Sequence, residues 1–98
     1  MKYEIIWSPL SEKDLEKNLE YLEENWDQKV ILNYINRIDE VLCHISNNPL
    51  MYPEIIKRSN IHKCVLNKQT ILYYRIKGKI IELITFFNAR QDPEKLKL

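Results

Sequence analysis

The sequence predicts an α+β domain in which an antiparallel helical hairpin packs on one face of a four-stranded, mostly antiparallel sheet. Three observations predict it. Apolar residues recur at helical steps of three and four between residues 9 and 47. After residue 60 the chain turns to β-branched and aromatic runs divided by short polar turns. The only glycine, Gly78, falls between two of those runs, where a tight hairpin needs a positive φ.

Each element follows from its residues. Tyr3 to Trp7 reads as a short strand. Ser8 then suits an N-cap and Pro9 a first helical position. Ser11 with Asp14 offers a second, weaker cap one turn later. Leu15, Leu19, Leu22 and Trp26 form one apolar stripe on a helix over 9–25, with Glu12, Glu16, Lys17, Glu20, Glu23 and Glu24 on the solvated side. Asp27 opens a second helix over 27–47. Its stripe is Ile31, Tyr34, Ile35, Ile38, Leu42 and Ile45, flanked by Val30 and Val41, and Arg37 faces away. Asn47-Asn48-Pro49 ends it, because proline pushes the preceding residue out of the α region. So short a connection makes the two helices antiparallel neighbours.

Ile61–Leu66, Thr70–Ile76 and Lys79–Phe87 are the remaining strands, divided at Asn67-Lys68-Gln69 and Lys77-Gly78. A two-residue loop at 77–78 pairs 76 with 79, 74 with 81 and 72 with 83. Leu72, Tyr74, Ile76, Ile81 and Leu83 then face the helices. Ile71, Tyr73, Arg75, Ile80, Glu82, Ile84 and Phe86 share the other face, with Tyr73 opposite Glu82 and Arg75 diagonal to it. A short basic tail after Asp92-Pro93 reads as one helical turn.

Ninety-eight residues make a single domain, 1–98, with 45% hydrophobic and 30% charged residues. No apolar run approaches a membrane span, and the start has no signal-peptide core, so a cytoplasmic protein is expected. Two cysteines, Cys43 and Cys64, do not make a disulfide framework. One glycine excludes phosphate-cradling and dinucleotide-binding loops. Cys43-His44 point apart on a helix, and His62 with Cys64 face the core. No metal and no cofactor is therefore expected, and apolar surroundings around both thiols argue against a cysteine nucleophile.

Charge is unevenly spread. Residues 1–54 hold five Lys/Arg against eleven Asp/Glu, a net of −6. Residues 55–98 hold ten against three, a net of +7. The basic half suits an acidic partner or nucleic acid, or the halves attract each other within one fold. Lys57, Arg58, Lys63, Arg75 and Arg90 are the candidate cationic cluster. RNA cleavage by the 2′-hydroxyl requires a base, cations on the phosphate and an acid. Lys63, Arg75 and Arg90 are the candidate catalytic cations, with Tyr73, Glu82 or His62 for proton transfer. The plainer reading pairs Arg75 with Glu82 and Arg90 with Asp92. The open face, through Ile71, Tyr73, Arg75, Ile84, Phe86 and Arg90, is the candidate surface for a partner. Cover by Leu96 and Leu98 of the tail, or by a second copy, is the alternative.

Several motifs in order resemble the RelE/ParE family of bacterial type II toxins. They are Tyr3-x-x-x-Trp7-Ser8-Pro9 with Asp14-Leu15 and Tyr21-Leu22, Asn48-Pro49 with Tyr52-Pro53, Ile71-Leu72-Tyr73-Tyr74-Arg75-Ile76, and Arg90-Gln91-Asp92-Pro93-x-x-Leu96. The resemblance spans nearly the whole chain. It implies the same fold, a growth-arresting toxin, a role in plasmid stabilization, and a cognate antitoxin whose extended and helical segments wrap it, as a hetero-oligomer or beside a homodimer. RelE-like members are ribosome-dependent mRNA interferases. Lys63 and Arg90 fall on family cations, but the next lysine falls on Val65 and the mid-sheet arginine on Ile71. Residues 91–98 hold no tyrosine or histidine. ParE-like members inhibit DNA gyrase, and the Ser-Pro helix start and Arg-x-Asp-Pro ending resemble that branch more. The resemblance thus implies gyrase inhibition first, the ribosome and its mRNA second, and a degenerate antitoxin-binding member third.

Overall fold

A computed structural model describes residues 2–91, 93–96 and 98. The elements are β1 (Glu4–Trp7), α1 (Pro9–Asn25), α2 (Gln28–Asn47), β2 (Ile61–Val65), β3 (Thr70–Lys77) and β4 (Ile80–Asn88). Single 3-10 turns lie at Pro49–Met51 and Pro93–Lys95. The sheet order is β1-β4-β3-β2, with β1 parallel to β4 and the other pairs antiparallel.

Local chemistry fixes the helix ends. Ser8 Oγ accepts from Ser11 N–H at 3.0 Å, with Pro9 in the first turn. Asp27 Oδ1 accepts from Val30 N–H at 3.1 Å and starts α2. Trp26 closes α1 in extended backbone (φ −136°, ψ 164°), which swings it off the Leu15–Leu19–Leu22 stripe and leaves it 52% exposed. The expected fourth stripe position is therefore not in the core. In α2 the buried positions are Tyr34, Ile38, Val41 and Ile45, while Ile35 is exposed. Arg37 does not point away as expected. Its Nε donates to the Leu66 carbonyl at 3.2 Å, tying α2 to the end of β2.

The core lies between the helices and one sheet face: Leu72, Tyr74, Ile81, Leu83, Cys64 and Phe86 meet the α2 stripe. Tyr74 Oη donates to the Pro49 carbonyl at 2.7 Å. The edge strand β1 is tied to α2 at its start. Tyr3 N–H donates to the Ser46 carbonyl at 2.8 Å, and Ser46 Oγ to the Tyr3 carbonyl at 3.0 Å.

The β3–β4 hairpin departs from the expected register in two ways. The loop is Gly78-Lys79, so Lys77 pairs with Ile80, Ile76 with Ile81 and Tyr74 with Leu83. Gly78 has φ 58°, and glycine at the first of two loop positions is the type II′ arrangement. This two-residue shift keeps every residue up to Leu83 on its expected face. It places Arg75, not Tyr73, opposite Glu82. A bulge then intervenes, with Tyr74 opposite Leu83 but Tyr73 opposite Thr85. The extra residue, Ile84, reverses the alternation beyond it. Phe86 therefore turns to the helix side, 2% exposed and stacked on Trp7 with ring centres 5.4 Å apart.

Candidate binding surfaces on the sheet

No helix packs on the second sheet face among the described residues. Its register brings Lys63, Tyr73 and Thr85 into one cross-strand row and Ile61, Arg75 and Glu82 into the next. Val65 and Ile6 are exposed on it, and Ile71, Ile80, Ile84 and Phe87 are half-buried. Phe86 is not part of it, for the reason just given. Tyr73 is, but only 7% exposed, and burial pushes its phenol above the usual tyrosine range. Expected as open, it is the floor of the face rather than a projecting group.

Two cations of this face share one carboxylate. Arg75 Nη1 lies 3.5 Å from Glu82 Oε1, and Lys77 Nζ lies 3.7 Å from the same oxygen. Lys63 is exposed beside Tyr73. Arg90 lies beyond the far end of β4. Asn88 pairs with Thr70, five positions along β3 from Arg75, and at ~3.3 Å per residue that is about 17 Å of strand. Lys57 and Arg58 sit on the loop before β2, where Arg58 (φ 66°) and Asn60 (φ 61°) both adopt left-handed backbone. Lys63 and Arg75 thus stand in neighbouring rows, while Lys57 and Arg58 lie before β2 and Arg90 at the far end of β4. Asp92, the alternative partner of Arg90, lies outside the described residues.

The proposed proton-transfer groups divide between the two faces, Tyr73 standing opposite Lys63 and Glu82 opposite Arg75 on the open one. His62 is buried on the helix face, stacked on Tyr74, with Nδ1 2.7 Å from the Tyr52 carbonyl. A carbonyl only accepts, so Nδ1 carries the proton. Cys64 is buried, and burial pushes its thiol up. Cys43, expected in apolar surroundings, is exposed on α2.

A second concave region, unanticipated from sequence, lies between α1 and the far end of β4. It consists of two adjoining hollows of about 170 and 180 Å³ that share Lys17, Asn18, Asn88 and Gln91. Leu96 of the tail lines it beside Leu10, so this part of the tail meets α1. Asp14, read as an alternative cap, instead accepts hydrogen bonds from Thr85 Oγ1 and, at 3.1 Å, from Phe86 N–H.

Residues 5–93 match the sequence model of the ParE toxin of the type II toxin–antitoxin system parDE. Among solved structures, the chain is similar to one of a chromosomal ParDE system from P. aeruginosa. The TM-score is 0.72 at 14% identity, covering 91% of this chain and 98% of that one. It is also similar to a YoeB dimer from Staphylococcus aureus, with TM-score 0.62, 18% identity and 91% and 99% coverage. The third is the RelBE2 toxin–antitoxin complex from Mycobacterium tuberculosis, with TM-score 0.62, 14% identity and 91% and 100% coverage. No curated protein sequence matches the chain. At these identities the structural likeness speaks to the fold, and the match over residues 5–93 to the family.

Proposed function

The chain belongs to the ParE toxin family of type II toxin–antitoxin systems, and from that membership we propose that it arrests growth by binding DNA gyrase rather than by cutting RNA. One observation carries the choice: the cations that would clamp a phosphate do not converge. Arg75 shares Glu82 with Lys77, and Arg90 lies past the end of β4, about 17 Å along the strand. Phosphate-ester cleavage needs preorganised charge within hydrogen-bond reach of one group. Dispersed cations over a half-apolar face suit a broad contact with a macromolecule instead. In this reading Lys63, Arg75, Ile71 and Ile84 meet the target, with Tyr73 beneath them and Arg90 at the margin. A cognate antitoxin holds the protein inactive, in the cytoplasm where the target resides.

The test is a supercoiling assay with purified protein, beside primer extension on ribosome-bound message. Dose-dependent loss of supercoiling, relieved by the antitoxin, is expected. Unaltered gyrase at toxin excess removes the gyrase reading. Cuts in the message that vanish in Arg90→Ala or Lys63→Ala would establish the nuclease in its place.

A further inference from the structure

The outer edge of β4 changes partner along its length. At its start β1 pairs it, Glu4 N–H donating to the Lys79 carbonyl and Ser8 N–H to the Leu83 carbonyl. At the bulge α1 takes over. Ser8 Oγ donates to the Ile84 carbonyl at 2.9 Å, and Asp14 accepts from Phe86 N–H. Beyond that point strand alternation directs the Phe86 carbonyl and both main-chain groups of Asn88 outward, since Ala89 N–H points back to the Gln69 carbonyl. The Asn88 carbonyl accepts from Gln91 N–H at 2.9 Å. The Phe86 carbonyl and the Asn88 N–H have no hydrogen-bond partner among the described residues. They open into the cleft beside α1.

These two groups select a strand direction. An antiparallel neighbour would need the N–H and carbonyl of one residue, and at Phe86 and Asn88 one of each is already taken. A parallel neighbour needs the carbonyl of one residue and the N–H two further on, which is the pair left over. The walls are prepared in the same way. Asn18 Nδ2 donates to Tyr34 Oη, leaving its carbonyl oxygen. Asn67 Oδ1 accepts from Gln69 and Thr70 N–H, and Asn88 Oδ1 from Arg90 N–H, leaving two amide donors. Carboxamides half-fixed by the protein match the mixed donors and acceptors of a peptide main chain.

We propose that this cleft takes an extended segment of the neutralising protein, entering parallel to β4 as a one-residue bridge opposite Phe87. The inference rests on the reading that the protein has such a partner. An apolar side chain at one end of the segment meets Leu10 and Leu96, and Lys17 favours an acidic residue beside it.

The experiment is residue-resolved amide exchange on the full chain, free and in complex with its cognate antitoxin. Exchange of the Asn88 amide is expected to slow about 100-fold in the complex. Asn88→Pro, which deletes that N–H at a position where the ladder does not use it, is expected to weaken binding about tenfold. Asn88→Ala, which keeps it, is expected to weaken binding less. If Asn88→Pro fails to fold, the exchange measurement on the unaltered chain decides alone. A complex in which the Asn88 amide exchanges at its free rate overturns this inference and leaves the functional reading standing. Absence of any complex overturns both.

Discussion

The two faces of the sheet are made by the same strands and hold their polar groups in opposite ways. On the helix face Tyr74 and His62 close onto the Pro49 and Tyr52 carbonyls, deep in the core. On the open face the charged groups close onto one another, Arg75 and Lys77 sharing Glu82 at partial exposure. The first arrangement is rigid, because an unmade buried hydrogen bond carries its full desolvation cost. The second is exchangeable, because exposed ion pairs contribute little and water or a partner can replace them. One face holds the fold together, and the other is free to change company.

The sharpest way to break that comparison is at two adjacent phenylalanines. The bulge puts Phe86 in the core and Phe87 on the open side. Phe86→Ala is expected to cost about 3–5 kcal/mol and Phe87→Ala about 1 kcal/mol. Urea-unfolding midpoints compare them directly. Equal costs would mean that the alternation does not reverse at Ile84.

That reversal also marks where sequence reading ran out. The strand and helix ranges, the helical hairpin and the helix-facing set from Leu72 to Leu83 were legible, because periodicity reports burial directly. An inserted residue leaves no periodic trace. In Ile84-Thr85-Phe86-Phe87 apolar side chains occur at both parities, so either face could claim Phe86. Asp14 was illegible for a different reason. Its partners, Thr85 and Phe86, lie more than seventy residues away, and locally it resembles any first-turn acid. The dispersal of the candidate cations could not be read either, because strand lengths set their spacing only once register is known.

Asp14 marks the border between the two regimes. Its carboxylate accepts from a buried hydroxyl and a main-chain N–H at the one stretch of β4 edge that β1 does not reach. Asp14→Ala leaves both donors unanswered and is expected to cost about 2–3 kcal/mol. Asp14→Asn, which retains an acceptor, is expected to cost less. Thermal unfolding reads the difference, and a silent Asp14→Ala would show that water replaces the carboxylate freely.

Tyr73 and Tyr74 sharpen the comparison through pH. Burial raises both phenols above the usual value of 10.0, Tyr74 much further. Each stays protonated in the folded chain while the unfolded chain loses its proton near pH 10. Their contribution is therefore complete below that pH and declines as the pH rises toward the folded values. Tyr74→Phe also strands the Pro49 carbonyl and is expected to cost about 1–2 kcal/mol at neutral pH. In return, it should flatten the loss of stability in alkali. Denaturant midpoints from pH 8 to 11 test both, and an unchanged alkaline slope would place the titration elsewhere.

The smallest expected effect on stability falls on the open face. Glu82→Gln releases Arg75 and Lys77 and, at about one-third exposure of the arginine and the carboxylate, is expected to cost 1 kcal/mol or less, vanishing in high salt. Its effect on activity separates the two chemistries proposed for this face. If the face works by contact, freeing two cations raises its positive charge, and gyrase inhibition should hold or strengthen at low salt while Arg75→Gln weakens it. If Glu82 moved a proton in RNA cleavage, the same substitution would abolish activity at any salt. One carboxylate, nearly irrelevant to folding, thus distinguishes a surface that grips from a site that reacts.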